Sequence, residues 1–257
     1  MIYQPPQNEL ASCRGKLCKY RAISDAEGLD QAVSMIRDRS LWFWHLTGQN
    51  DPKECKPKVF FGGDRQDIYR YFVNDLSAVY PGADPNKIRR QARKASRNPV
   101  IPNPSSVYRF WAVCCFSANG DNPHMWDEYA CQGAGIVIEY RANQGSSLGL
   151  AGMVKYTDNP VDLDLLRLTE DKMYEVFTTK EDKWYYEEEY RMLERLDSSG
   201  TGRNFHYGDI DIIGVTFGRR LSSVYRSRIE NLCTELKIPT TAQQDGAADA
   251  LTRATDL

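Results

Sequence analysis

Histidine is scarce in this chain: three occur in 257 residues (45, 124 and 206), which limits any scheme that relies on an imidazole base. Long apolar runs are missing, and none approaches the ~18 residues of a membrane-spanning helix. The start, Met1-Ile-Tyr-Gln-Pro-Pro-Gln-Asn-Glu-Leu10, has neither a basic nor an apolar stretch and does not read as a secretory signal. No Cys-x2-Cys pair occurs among the seven cysteines (13, 18, 55, 114, 115, 131 and 233). An odd number of cysteines without a signal reads as free thiols in a reducing, cytoplasmic setting. Cys115, His124 and Cys131 offer three zinc-type ligands. Cys114 and Cys115, however, sit in the apolar run Phe110–Phe116, where buried thiols are common, and no metal is expected.

Familiar chemical signatures are missing as well. There is no Walker-type phosphate loop, no Gly-x-Gly-x-x-Gly after a strand, no His-Glu-x-x-His and no nucleophile elbow. Gly133-Ala-Gly135 reads as a tight helix-to-strand turn. Asp162-Leu-Asp164 and Asp209-Ile-Asp211 read as caps and solvated charge. Net charge is nearly absent, with 33 Lys+Arg against 35 Asp+Glu, which excludes a wholly basic protein. Charged residues make up 26% and hydrophobic ones 41%, an ordinary globular balance.

Strands and helices alternate irregularly in what remains, with hairpin-like neighbours near the centre. That pattern predicts an α+β fold, a single domain over 17–244 with a central, mostly antiparallel sheet, open to splitting, flanked by helices. Residues 1–16 read as a loose lead-in, 85–98 as a basic helical insertion and 245–257 as a frayed tail. Strands are expected at 17–21, 41–44, 108–117, 135–140, 153–156, 189–196 and 211–217, with one more from Thr240. Helices are expected from a capping box at Ser24-Asp-Ala-Glu27 to about Arg39, and over 64–80, 86–97, 123–131, 161–183 and 219–236. Gly48-Gln-Asn-Asp-Pro52 reads as a turn.

Two stretches carry candidate chemistry. Trp126 and Tyr129, at i and i+3 on a short helix, serve either as packing or as an aromatic wall for a flat ring. In Trp184-Tyr-Tyr-Glu-Glu-Glu-Tyr-Arg191, extended chain puts Glu187, Glu189 and Arg191 on one face and Glu188 on the other. The alternative is a solvated acidic helix end running into a strand, but four aromatics are a costly neighbourhood for a surface edge.

Several elements follow one another in a recognisable order. They are Lys19-Tyr-Arg21, Leu41-Trp with Asn50-Asp-Pro52, Cys115-Phe-Ser117, Met125-Trp-x-x-Tyr-Ala130, Gly135-Ile-Val-Ile-Glu139, and Lys180 with Trp184-x-x-Glu-x-Glu-Tyr-Arg191. Together they resemble the bacterial family known as domain of unknown function 2971, over roughly residues 17–218. One departure is Gly133-Ala134, where that family tends to carry a polar or basic pair. More distantly, the order of an early Tyr-Arg, a central aromatic-Ser strand and a late Glu-x-Glu is similar to ADP-ribosyltransferases.

That similarity implies a mono-ADP-ribosyltransferase fold and activity with NAD as substrate, acting as a toxin, effector or defence factor. It implies Glu189 as the carboxylate stabilising an oxocarbenium-like ribose, and Glu187 orienting or deprotonating the acceptor. Arg21 would bind phosphate with Tyr20 beside it, and Arg191 would belong to the same binding face. Ser117 would support Glu189, Trp126 or Tyr129 would close the ring pocket, and Asn50 with Asp51 would touch adenosine or a substrate. Plainer roles exist for each: a strand-edge ion pair for Arg21, and capping or turn chemistry for Ser117 and Asn50.

Near-neutrality conceals segregation. Residues 85–120 hold seven Lys/Arg and no acid, whereas 158–189 hold eleven Asp/Glu against four Lys/Arg. On a helix, Arg90, Arg93, Lys94 and Arg97 line one side, as contacts to nucleic-acid phosphates would; the plain alternative is a solvated helix. A nuclease or nucleic-acid-binding protein and a non-enzymatic interaction or sensor domain therefore stand beside the transferase reading. The acceptor would be either nucleic acid or a protein, and no membrane partner is expected.

Overall fold

The structure, a computed structural model, describes residues 10–11, 14–46, 55–103, 110–196 and 202–244. In chain order the elements are β1 (Gly15–Ala22), α1 (Ala26–Arg37), β2 (Ser40–His45), β3 (Lys58–Phe60), α2 (Arg65–Val79), α3 (Pro85–Arg97), β4 (Trp111–Ser117), α4 (Pro123–Tyr129) and β5 (Gly135–Ala142). They continue with β6 (Gly152–Met153), β7 (Lys155–Tyr156), β8 (Asp162–Asp164), α5 (Glu170–Phe177), β9 (Thr179–Lys180), β10 (Glu189–Arg195), β11 (Gly202–His206), β12 (Ile212–Phe217), α6 (Ser223–Glu235) and β13 (Thr240–Ala242).

The β-branched run Ile136-Val-Ile138 suits a pleated surface buried on both sides, and β5 lies at the heart of the sheet. Ile136, Ile138 and Tyr140 join one core cluster with Leu29, Ala32 and Ile36 of α1 and Ile229, Leu232 and Cys233 of α6. Val137 points the other way, into a cluster with Met125, Trp126 and Ala130 around α4. The architecture is thus mixed α/β, one nine-stranded sheet in the order β11-β2-β4-β1-β5-β12-β13 with helices on both faces. Off that path, β10 pairs with β4 and β6. Every ladder in this sheet is antiparallel except β12–β13, which α6 joins as a crossover.

The expected helix-to-strand turn is present: Cys131, Gln132 and Gly133 are successively left-handed (φ 49°, 55° and 84°). Gly135 then starts β5 so close to β1 that a Cβ would lie 2.3 Å from the Arg21 carbonyl oxygen.

Several expectations need correction. The helix predicted over 161–183 is instead β8, a 3₁₀ turn at Leu165–Arg167, α5, β9 and a second 3₁₀ stretch at Asp182–Glu187. Its apolar period was real, but Leu168 is exposed, and residues 162–164 are claimed by a parallel ladder with β3, about a hundred residues earlier. Asp164 then acts as the cap it was read to be, accepting from Leu166 N and from Gly62 N. The α1 cap is Asp25, which accepts from Gly28 N at 2.8 Å, not Ser24. The lead-in is part of the fold at its end: Leu10 bridges to Gly152, Ala11 is fully buried, and β1 starts at Gly15. The strands β3 and β11 were not foreseen. The 48–52 turn and the 245–257 tail lie outside the described residues. Among the described residues, no helix is long and apolar enough to cross a membrane.

Candidate functional site

A strand has two hydrogen-bonding edges, and β4 uses them unequally. One edge pairs with β10 along its whole length, from Glu189↔Ser117 to Arg195↔Trp111. The other is shared: β1 meets it at Cys18↔Ser117, and β2 at Trp44↔Val113 and His45↔Ala112. Between those contacts β1 and β2 diverge, and Cys114–Phe116 carries no ladder on that edge. A cleft of 690 Å³ lies here, lined from β1 by Lys19, Tyr20 and Arg21, from β2 by Ser40, Trp42 and Trp44, and from β4 by Cys115, Phe116 and Ser117. Its volume is in the range of small-molecule sites, roughly 300–1,000 Å³.

One end of the cleft is closed by a buried charge cluster at the head of β10. Glu188 is left-handed (φ 44°) and separates the 3₁₀ stretch from the strand. Glu187 and Glu189 consequently reach the same side through a bend, not through the strand alternation read from the sequence. Both meet Lys180 of β9, whose Nζ lies 2.6 Å from Glu187 Oε2 and 3.3 Å from Glu189 Oε2. The Arg191 guanidinium holds Glu189 with two parallel bonds, Nε to Oε1 and Nη2 to Oε2, both 2.9 Å, and donates through Nη1 to the Phe177 carbonyl. Tyr129 donates its hydroxyl to Glu187 Oε1 at 2.7 Å. Two cations thus face two carboxylates, as burial requires.

The two carboxyls titrate in opposite directions. Glu187 is pushed up, first by burial and then by the charge of Glu189, against the pull of Lys180 and Tyr129. Glu189, although burial disfavours its charge, is held well below the usual range by Arg191 and Lys180, with a further bond from the Cys115 thiol. Tyr129 is raised by burial and by Glu187, so it stays a hydroxyl donor. Glu189 is therefore a fixed anion, and Glu187 is the carboxyl of the pair that takes up a proton more readily.

The cleft also holds donors in search of acceptors. Arg21 Nε and Trp42 Nε1 are buried, and neither has a hydrogen-bond partner among the described residues. Arg21 makes no ion pair with a described residue; burial lowers its pKa while the more distant Glu27 and Asp25 raise it. Its expected alternatives go elsewhere, Glu139 to Lys16 and Glu189 to Arg191. Two buried donors in one cleft suit an anionic or carbonyl-rich ligand. Trp44, 54% exposed, stands edge-on to Trp42 at the mouth, and Trp184 lies beneath Lys180 Nζ at 4.9 Å.

The cleft thus brings together Tyr20, Arg21, Ser117, Tyr129, Glu187 and Glu189. No protein-family model, curated protein or solved structure matches this chain. The motif resemblance accordingly rests on the residues quoted for it, and the chemistry on geometry.

The remaining candidates fall differently. Trp126 does not reach the cleft: it is 1% exposed, donates to the Gly120 carbonyl and takes the edge of Tyr20 at 5.5 Å, so it is packing. Arg191 is fully buried, and the guanidinium atoms that bond Glu189 and Phe177 hold the carboxylate, not a ligand. Ser117 spends its hydroxyl on a turn, donating to the Asn119 carbonyl and accepting from Asn119 N, while its backbone sets the Glu189 register. Tyr20 lines the cleft but is also a bracket for the same loop, donating to the Asn119 carbonyl and accepting from Asn122 N. Asn50 and Asp51 lie outside the described residues. Arg90, Arg93, Lys94 and Arg97 are exposed on α3 and do not line the cleft.

Sequence reasoning missed Lys180 as the hub and Trp42 as an orphan donor. Lys180 had a signal, a cation seven residues before the acidic triplet and quoted with it in the motif; Trp42 had none, since its isolation is purely tertiary. Among the described residues no group of three His, Cys, Asp or Glu could hold a metal, so Cys115, His124 and Cys131 do not form one. A smaller cavity of 280 Å³ between Cys55, Pro57, Thr157 and Val176 shares Lys180 as a wall.

Proposed function

We propose that the cleft takes NAD as a substrate and transfers its ADP-ribose to an acceptor, releasing nicotinamide. The observation that supports this reading is the convergence of Arg21, Ser117, Glu187 and Glu189, from three distant segments, on one aromatic-lined cleft. The reaction breaks the bond between ribose C1′ and the nicotinamide nitrogen, the electron pair leaving with the ring. An acceptor lone pair then closes on C1′, and the acceptor's proton needs a base.

The titration behaviour supports the roles that the resemblance implies for the two carboxylates and narrows Glu187 to the base. Glu187, raised above the ordinary carboxylate value by burial and by the charge of Glu189, is the base that takes the proton. Glu189 holds negative charge beside the developing positive centre, and its two cations fix it in place. Tyr129 and Trp184 offer faces for the departing ring. Arg21 Nε and Trp42 Nε1 supply donors for pyrophosphate and ribose oxygens.

A second reading, a binding or sensing cleft without turnover, is favoured by one observation: both oxygens of Glu189 are already engaged. A single pair of measurements separates the two. Nicotinamide release at millimolar NAD, lost in Glu187→Gln with the melting temperature retained, supports transfer. A thermal shift without release supports the sensor, and neither shift nor release overturns both.

A further inference from the structure

The helix α3 presents a surface with no role in the cleft. It starts at Asp84, which accepts from Asn86 N at 2.9 Å, with Pro85 in its first turn, and it packs on α2 through Ile88, Ala92 and Ser96. At 3.6 residues per turn those three lie within about 80° of one another. Lys87, Arg89, Arg90, Arg93, Lys94 and Arg97 fill the opposite arc of about 160°, with no acid among them. All six are exposed, and none makes an ion pair or a side-chain hydrogen bond with any described residue. Surface cations on ordinary helices are usually interspersed with carboxylates. Here the only relief is the helix dipole, which favours Lys94 and Arg97 in the last turn.

We propose that α3 is a docking surface for the phosphate backbone of duplex DNA, bound without reading its sequence. The chemistry of the arc selects this partner. Four of the six cations are arginines, whose planar forks match phosphate oxygens. An amphipathic helix that binds membrane inserts its apolar face, but here Ile88 and Ala92 are committed to α2. A protein interface is anchored by buried aromatic or aliphatic side chains, and the exposed arc carries none. A helix with cations over about 160° can address both strands flanking a B-DNA major groove, whereas the narrow A-form groove does not admit it. This proposal is independent of the NAD reading.

The test is fluorescence anisotropy with a short labelled DNA duplex across a salt series. If Arg90, Arg93, Lys94 and Arg97 each meet a phosphate, the log–log slope of affinity against salt is about −3 to −4. Affinity then falls roughly a hundredfold between about 50 and 200 mM. Arg90→Gln, Arg93→Gln, Lys94→Gln and Arg97→Gln together abolish most of that slope, while the conservative set Arg90→Lys, Arg93→Lys and Arg97→Lys keeps it. No binding at low salt, or unchanged binding by the glutamine variant, overturns the proposal. Equal or tighter binding through the same residues to an RNA hairpin or to phosphatidylserine vesicles overturns the choice of duplex DNA. Glu187→Gln leaves the DNA affinity unchanged, so failure of this proposal and failure of the NAD reading are separately visible.

Discussion

The head of β10 and the outer face of α3 handle positive charge in opposite ways. At β10, Lys180 and Arg191 are at most 8% exposed, and each lies within 3.3 Å of a carboxylate oxygen. On α3 six cations stand in solvent without a described partner. Water makes the second arrangement affordable, since exposed charges are screened over about 8 Å at physiological salt. Desolvation forbids it in the first, where an unmatched ion costs several kcal/mol. Buried charges therefore report on internal geometry, and exposed unpaired ones on what the surface is free to meet.

The sharpest way to break this contrast is Arg191→Met. It leaves Glu189 with Lys180 as its only cation and the Phe177 carbonyl without its guanidinium donor. Removing one member of a buried network typically costs about 3–5 kcal/mol, and the urea midpoint of the variant should fall accordingly. A loss under about 1 kcal/mol would mean that the cluster is hydrated and the contrast false.

Acid and base pull the same cluster apart in opposite directions. Glu189 has a depressed pKa, so its contribution is present above the ordinary value of 4.5 and is lost as pH falls below it. Glu187 has a raised pKa, so its contribution is present below 4.5 and is lost as pH climbs through the raised value. Stability should therefore peak close to the ordinary carboxylate range. Glu189→Gln flattens the acid side and Glu187→Gln flattens the fall above it, both read from melting temperature against pH. Two variants with the same profile would show that the pair is not split.

Tyr129→Phe is milder. It removes one hydrogen bond to a carboxylate, worth about 1.5–3 kcal/mol in general, while Lys180 stays in place. Because that bond lowers the Glu187 pKa, its loss should shift the acid limb of nicotinamide release to higher pH. An unshifted limb would place the working proton on another group.

Much of this is legible in the sequence. Residues 135–140 were expected as a strand, and the apolar period over 64–80 marked α2. Glu187 and Glu189 were placed on one side, but for the wrong reason: no local pattern announces that Glu188 will be left-handed. The 161–183 stretch failed because β3 decides its fate from far away in the chain. Arg191 was read as a ligand contact because strand alternation shows which residues share a side and not which partner fills it. Burial and pairing, the quantities that separate Arg191 from Arg21, are tertiary.

The smallest effect belongs to α3, and its size tests the exposed half of the contrast. Arg93 stands at i, i+4 from both Arg89 and Arg97 without a partner of opposite charge. Each such like-charge pair destabilises an exposed helix by about 0.2–0.5 kcal/mol. Glutamine has nearly the helix propensity of arginine, and the lost attraction to the helix C-terminus offsets part of the gain. Arg93→Gln should therefore change stability by no more than about 0.5 kcal/mol, toward greater stability at low salt. Near 1 M salt, where screening acts within about 3 Å, wild type and variant should melt together. A variant destabilised by more than about 1 kcal/mol would show that Arg93 holds a structural partner, and α3 would then belong with β10 and not opposite it.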